Sequence, residues 1–151
     1  MHILQIIPWY PDEQNSHNPT AGTFFKEQFE YLARQVDLTI IHVNFISIYE
    51  WINQRKRLFK VEILKQKSPT IFRVNMPSIP KFYKLSYFFA NSILKTLLKN
   101  KTIDLIHAHV TLPTGYLAYK LSKQFKNPYI VTEHASYFDK FQNNKNFEVV
   151  R

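Results

Sequence analysis

The chain has 151 residues, 45% of them hydrophobic and 16% aromatic, and a net charge of +9. That composition excludes a disordered chain and is enough to build the core of one domain, or of one half of a two-domain protein. The absence of cysteine excludes a disulfide framework and a thiolate metal site, and it fits a reducing compartment.

The start, Met1–Ile7, has no basic leader and runs into Pro8 and Pro11, which argues against a signal peptide. Ile3, Leu4, Ile6 and Ile7 form a nearly unbroken apolar run, the pattern of a strand buried on both faces of a parallel sheet. Pro8-Trp9-Tyr10-Pro11 ends it, and a polar loop follows over 12–20. Ala21-Gly22-Thr23 then opens a helix in which Phe25, Phe29, Leu32, Ala33 and Val36 recur at helical spacing. Leu38, Ile40, Ile41 and Val43 mark a second buried strand over Asp37–Asn44. Residues 1–44 therefore predict β-loop-α-β with a parallel crossover. Ile48, Trp51, Ile52 and Arg55 fit a short helix. Lys60–Lys65 and Thr70–Asn75 predict two strands in a hairpin or strand pair across Gln66–Pro69, and Met76–Pro80 predicts a proline-bounded connector.

Lys81–Asn100 predicts a long helix. At 100° per residue Lys81, Lys84, Asn91, Ser92, Lys95 and Lys99 share one polar sector, with Phe88 inside it. Phe82, Leu85, Phe89, Ile93, Leu94, Leu97 and Leu98 fill most of the rest. Such a helix either wedges its broad apolar face between sheet and neighbours or lies on a bilayer with its lysines over lipid phosphates. It does not span one, since the longest uncharged stretch is the ten residues Leu85–Leu94 and about 20 apolar residues are needed. Charge is concentrated here: twelve Lys/Arg and one acid, Glu62, fall between Trp51 and Lys101. An anionic membrane surface would explain that asymmetry, and so would lysines on solvated faces. No RNA- or DNA-binding motif accompanies the basic region, so nucleic acid is not expected as a partner.

Ile103–His109 predicts a short strand ending in two histidines. Pro113-Thr114-Gly115 supplies a turn, and Tyr116–Lys126 a helix that lays Leu117, Ala118, Leu121 and Phe125 back on the sheet. Asn127-Pro128 ends that helix, and Tyr129–Thr132 predicts a last short buried strand leading to Glu133-His134. The whole is a βαβ…αβαβ pattern, a Rossmann-like open and mostly parallel sheet with helices on both faces.

In such sheets ligands bind beyond the carboxyl ends of the strands, so the turns at Gly22, His109 and Glu133-His134 should share one crevice. The chain has only two glycines, Gly22 and Gly115, where about ten are usual for this length. Both sit at strand-to-helix junctions, which points to close backbone approach or positive φ. A helix opened by Gly22 could offer its amides to an anion, although no dinucleotide fingerprint is present. His107 and His109 share a strand face and could begin a metal site, but no third ligand with suitable spacing is evident, so no metal is expected. His109 and His134 are the candidates for proton handling or for hydrogen bonds to a hydroxyl or phosphate.

His2–Pro11, Ala21-Gly22-Thr23-Phe24-Phe25-Lys26-Glu27-Gln28, Asp104–His109 with Pro113-Thr114-Gly115, and Val131-Thr132-Glu133-His134 together resemble the amino-terminal half of family 4 glycosyltransferases of the GT-B fold. The resemblance covers residues 2–138. It implies an acceptor-side Rossmann-like domain facing a carboxy-terminal nucleotide-sugar domain, and a retaining, metal-independent transfer that uses a UDP- or GDP-linked sugar as co-substrate and no other cofactor. The acceptor it implies is lipid-linked or a polysaccharide, at the cytoplasmic face of the membrane. By position it makes His109 the catalytic histidine, near the transferred sugar or the acceptor. Ala21, Gly22, Thr114, Gly115, Glu133 and His134 would bind substrate, and Lys81, Lys84, Lys95 and Lys99 remain for membrane or other anions. Many members have paired glycines where this chain has Ala21-Gly22. The family's paired-glutamate motif is not in these 151 residues, so the resemblance implies a truncated half, 1–151, that needs a further domain or a separate subunit and is inactive alone.

Overall fold

A computed structural model of the chain describes residues 1–11, 22–53, 55–65, 69–79 and 81–134. In chain order the elements are β1 (His2–Ile7), α1 (Thr23–Leu32), β2 (Asp37–Ile46), α2 (Ile48–Asn53), β3 (Val61–Lys65), β4 (Thr70–Pro77), α3 (Tyr83–Leu98), β5 (Leu105–His109), α4 (Tyr116–Phe125) and β6 (Tyr129–Thr132). They form one six-stranded sheet in the order β3-β4-β2-β1-β5-β6. Every neighbouring pair is parallel except β3–β4, which is antiparallel. The mostly parallel Rossmann-like sheet expected from the apolar runs is the one observed.

Those runs are apolar on both faces because both faces are covered. Leu4, Ile6, Ile41, Val43, Val74, Met76, Ile106 and Ala108 meet Ala90, Leu94 and Leu98 of α3 and Leu117, Ala118 and Leu121 of α4. The alternate residues Ile3, Ile7, Leu38, Ile40 and Ile71 meet Phe25 and Phe29 of α1 on the other side. α2 is held by a capping box: the Glu50 amide donates to Ser47 Oγ at 3.2 Å, and the Ser47 amide donates to Glu50 Oε2 at 2.9 Å.

Several boundaries differ from expectation. α1 starts one residue after Gly22 and ends at Leu32, so Val36 packs on the core from the following turn; Ala21 lies outside the described residues. β4 runs on to Pro77, because Phe45 and Ile46 of β2 continue to pair with Met76 and Pro77; the expected connector therefore starts later. The residues 66–68 of the expected hairpin turn lie outside the described residues. β6 is not buried. All four of its residues are exposed, since among the described residues it pairs only with β5; Tyr119 of α4 meets Tyr129 edge-on at 6.2 Å between centroids. Phe82, just before α3, and Leu85 belong to the expected apolar face, yet they stand 65% and 45% exposed; Phe88, inside the polar sector, is 65% exposed as expected. The rest of the expected face does meet the core, Leu94 and Leu98 fully buried and Phe89, Ile93 and Leu97 packed against it, together with Ser86 and Ala90. Among the described residues no helix is long and apolar enough to cross a membrane.

Candidate active site

The chain leaves β1 toward the α1 face and leaves β5 toward the α4 face. The strand order therefore reverses between β1 and β5, and a crevice must open beyond their carboxyl ends. His109 closes β5 at that point and is 1% exposed. Its Nε2 lies 2.9 Å from Gln5 Oε1 of β1, and its Nδ1 lies 2.8 Å from His134 Nε2 just past β6. The first turn of α1 seals the group: the Phe25 ring meets His109 edge-on at 4.8 Å and His134 at 5.5 Å, and Phe24 lies 5.5 Å from His134. Gly22, His109 and His134 are thus brought to one place.

Burial, together with the neighbouring His107 and His134, pushes the His109 imidazole down to about 3. It stays neutral near pH 7, with both ring nitrogens already engaged inside the protein. His107 lies one pleat deeper, its ring 4.3 Å from that of His109, and its Nε2 bonds Thr132 Oγ1 at 2.8 Å. Burial and His134 lower its pKa as well. His134 is the exposed member of the three.

The remaining predicted residues shape the backbone around this group. Gly22 adopts φ +79°, and a Cβ there would stand 3.3 Å from the backbone of Trp9 and Tyr10. Gly115 has an ordinary helical conformation, but a Cβ would meet the Val110 carbonyl at 3.3 Å. The two glycines therefore answer to the two different needs, positive φ and close approach. Thr114 is fully buried, and its hydroxyl donates to the carbonyls of His109 and Val110. Its role is to tie the wide helical turn Thr111–Gly115 back to the strand end rather than to face the crevice. Glu133 spans the same gap: Oε2 accepts the Thr111 amide at 2.8 Å and Oε1 the His134 amide at 2.9 Å. Lys84, Lys95 and Lys99 lie exposed on the outward side of α3, and Lys81 lies exposed just before it; none belongs to this cluster.

Two residues escaped the sequence reading. Gln5 was hidden as one letter inside an apolar run; a lone buried amide there was the available signal, because a buried polar group demands a partner. Val110 takes φ 76°, rare for a β-branched residue and of order 1–3 kcal/mol in cost. Hydrogen bonds hold it there, from its amide to Thr132 O and from the Gly115 amide to its carbonyl. Among the described residues no group of three or more His, Cys, Asp or Glu is placed to hold a metal ion.

A doubly wound α/β domain with its polar cluster at the switch point belongs, as a class, to the ligand-binding halves of open-sheet proteins. This chain belongs to the Glycosyl transferase 4-like family, whose model matches residues 19–150. It is 29% identical over 146 residues to the "Putative teichuronic acid biosynthesis glycosyltransferase TuaC" of Bacillus subtilis, covering 90% of this chain and 36% of that protein. Over 63 residues it is 36% identical to the uncharacterized glycosyltransferase MJ1178 of Methanocaldococcus jannaschii, covering 41% of this chain and 18% of that one. The chain thus spans about a third or less of the length of these relatives. Among solved structures, the C-terminal domain of the PF1911 hydrogenase from Pyrococcus furiosus superposes with a TM-score of 0.49 at 16% identity, over 88% of this chain and 90% of that one. A similarity of that size bears on neither activity nor substrate.

Proposed function

We propose that this chain supplies the acceptor side of a retaining glycosyltransferase. A UDP- or GDP-linked sugar would be transferred to a hydroxyl of a lipid-linked or polysaccharide acceptor, releasing nucleoside diphosphate and a proton. A donor-binding domain or subunit would complete the cleft. The observation that supports this reading best is the meeting of the Gly22-opened helix, His109 and His134 at the crevice between β1 and β5. In it the helix start opened by Gly22 approaches the donor's diphosphate with its backbone amides, His134 faces the reacting groups, and His109 positions His134 from beneath.

The test joins the chain in one polypeptide to a donor-binding domain of the same family. Panels of UDP- and GDP-sugars are offered with a membrane lipid extract as acceptor. Transfer is expected from the joined protein and not from the chain alone. His109→Ala should lower kcat about a hundredfold, the scale on which a reacting group misplaced by about 1 Å is felt. Normal turnover in that variant would remove His109 from the mechanism.

The same reading brings the protein to the inner face of a membrane, as a peripheral protein. The observation in favour is the outward side of α3, where Lys84, Lys95 and Lys99 surround the exposed Leu85 and Phe88. The patch continues toward α2, which buries none of its residues: Phe59 meets Phe89 of α3 edge-on at 5.5 Å, and Lys56 pairs with Glu50 of α2 at 3.2 Å. Apolar rings among lysines suit an anionic lipid surface better than open water. Sedimentation with phosphatidylglycerol-containing vesicles should recover the chain, and uncharged phosphatidylcholine vesicles should not. At about 1 kcal/mol per lysine, the triple change of Lys84, Lys95 and Lys99 to Gln should weaken binding about a hundredfold. Unchanged binding would leave α3 as an ordinary solvated helix.

A further inference from the structure

Gln5 has no place in the reading above, yet it is the deepest member of the polar cluster. It is buried in the middle of β1, the central strand of the parallel set, and its Oε1 meets His109 Nε2 at 2.9 Å. A carboxamide oxygen can only accept, so His109 Nε2 must carry a proton. A neutral imidazole has one N–H, so His109 Nδ1 is then a bare lone pair. Among the described residues the partner at Nδ1 is His134 Nε2, 2.8 Å away, and this nitrogen must therefore be the donor. The two nitrogens of an imidazole diverge, so with His134 Nε2 turned inward its Nδ1 faces away from the buried pair. No partner for that Nδ1 is found among the described residues.

We propose that Gln5, acting through His109, holds neutral His134 in the tautomer whose Nδ1 accepts a hydrogen bond from a substrate hydroxyl in the crevice. The direction of the chain is set at the buried end and read out at the exposed end. An accepting Nδ1 selects ligands that can donate: a sugar hydroxyl fits, whereas a fully ionised phosphate, which only accepts, does not. The surroundings hold the relay in place. Phe25 and Phe29 close on the His109 ring, His107 is tied to Thr132, and the Glu133 carboxylate is taken up by two backbone amides. The low pKa of His109 agrees with a neutral link. Gln5 and His109 are thus positioning residues, and His134 is the group that meets substrate. That the donor is an acceptor-sugar hydroxyl rests on the transferase reading; the tautomers do not.

The experiment is long-range proton–nitrogen NMR of the imidazole rings in the 15N-labelled chain, above neutral pH and without substrate. The expected spectrum shows His109 and His134 each protonated at Nε2 and bare at Nδ1. A His109 proton at Nδ1, or a His134 proton at Nδ1, would mean the Gln5 amide donates instead, and would overturn the proposal. Gln5→Met removes the acceptor at nearly constant volume. It should let the reverse chain compete, raising the Nδ1-protonated form of His134 to about half of the population. Unchanged tautomers in a folded Gln5→Met protein would also overturn it. Gln5→Glu keeps an accepting oxygen and should keep the wild-type tautomers, so a reversed chain there counts against the proposal even if Gln5→Met does not fold. These spectra need no transfer reaction: an intact lock in a joined protein that transfers nothing would remove the transferase reading and leave the lock standing.

Discussion

Replacing Phe25 with alanine should lower the unfolding free energy by about 3–5 kcal/mol, the range for deleting a buried aromatic ring. The side chain is fully buried, stacks on Phe29 at 5.6 Å and meets His109 edge-on at 4.8 Å. The cavity left behind would be hard to refill. On this side of the sheet the described core is carried by α1 alone, through Phe25 and Phe29, against strand residues that are already packed. Urea unfolding followed by circular dichroism gives the loss. Phe24→Ala is the control, since Phe24 is exposed and its truncation should cost about 1 kcal/mol or less. A loss that small for Phe25 would mean that α1 is not the element closing this face. Histidine ring resonances should shift in Phe25→Ala, because the removed ring lies over both His109 and His134.

The same two rings show which features of the chain were legible. Phe25 and Phe29 announced themselves by spacing, as did β1 and β2, because strands covered on both faces need apolar residues at every position. The two glycines stood out against a chain that otherwise avoids glycine, and each is required by a backbone measurement. His107 and His109 had to share a face, and their rings do lie together. What was not legible depends on neighbours. Nothing in Tyr129–Thr132 says that the strand will be the outermost of the described sheet, so an apolar run that reads as buried stands exposed among the described residues. Phe82 and Leu85 satisfy a helical period but stand exposed, with no described element over them; period gives a face its chemistry, not its partner. Gln5 was illegible for the opposite reason. Its partner lies 104 residues away in the chain, and only the pairing of β1 with β5 brings the two together.

Acid should destabilise this protein earlier than carboxylate protonation alone would. The imidazole of His109 has its ordinary value of 6.5 when unfolded and about 3 when folded. Below 6.5 the unfolded chain therefore binds a proton that the native state refuses, and the native state loses ground as pH falls. The sign follows from proton counts: stability rises with pH wherever the unfolded state holds more protons, here between about 3 and 6.5. Each pH unit in that window costs about 1.4 kcal/mol, so near pH 5 His109 alone should remove about 2 kcal/mol. His107 is shifted the same way by burial and by His134, which steepens the slope. Glu50 acts in the same direction at lower pH. Burial would raise its pKa, but hydrogen bonds from Ser47 and Lys56 outweigh that and hold it below 4.5, so what it contributes is lost only after the histidine window has opened. Urea midpoints taken in half-unit steps from about pH 7.5 down to about 4.5 will show the fall. In the Gln5→Leu/His109→Leu pair both buried polar partners are gone, and His134, which loses its bond to His109, is exposed to water. That protein should lose most of the slope above pH 5, and a slope equal to wild type would mean that a histidine other than His109 carries the acid sensitivity.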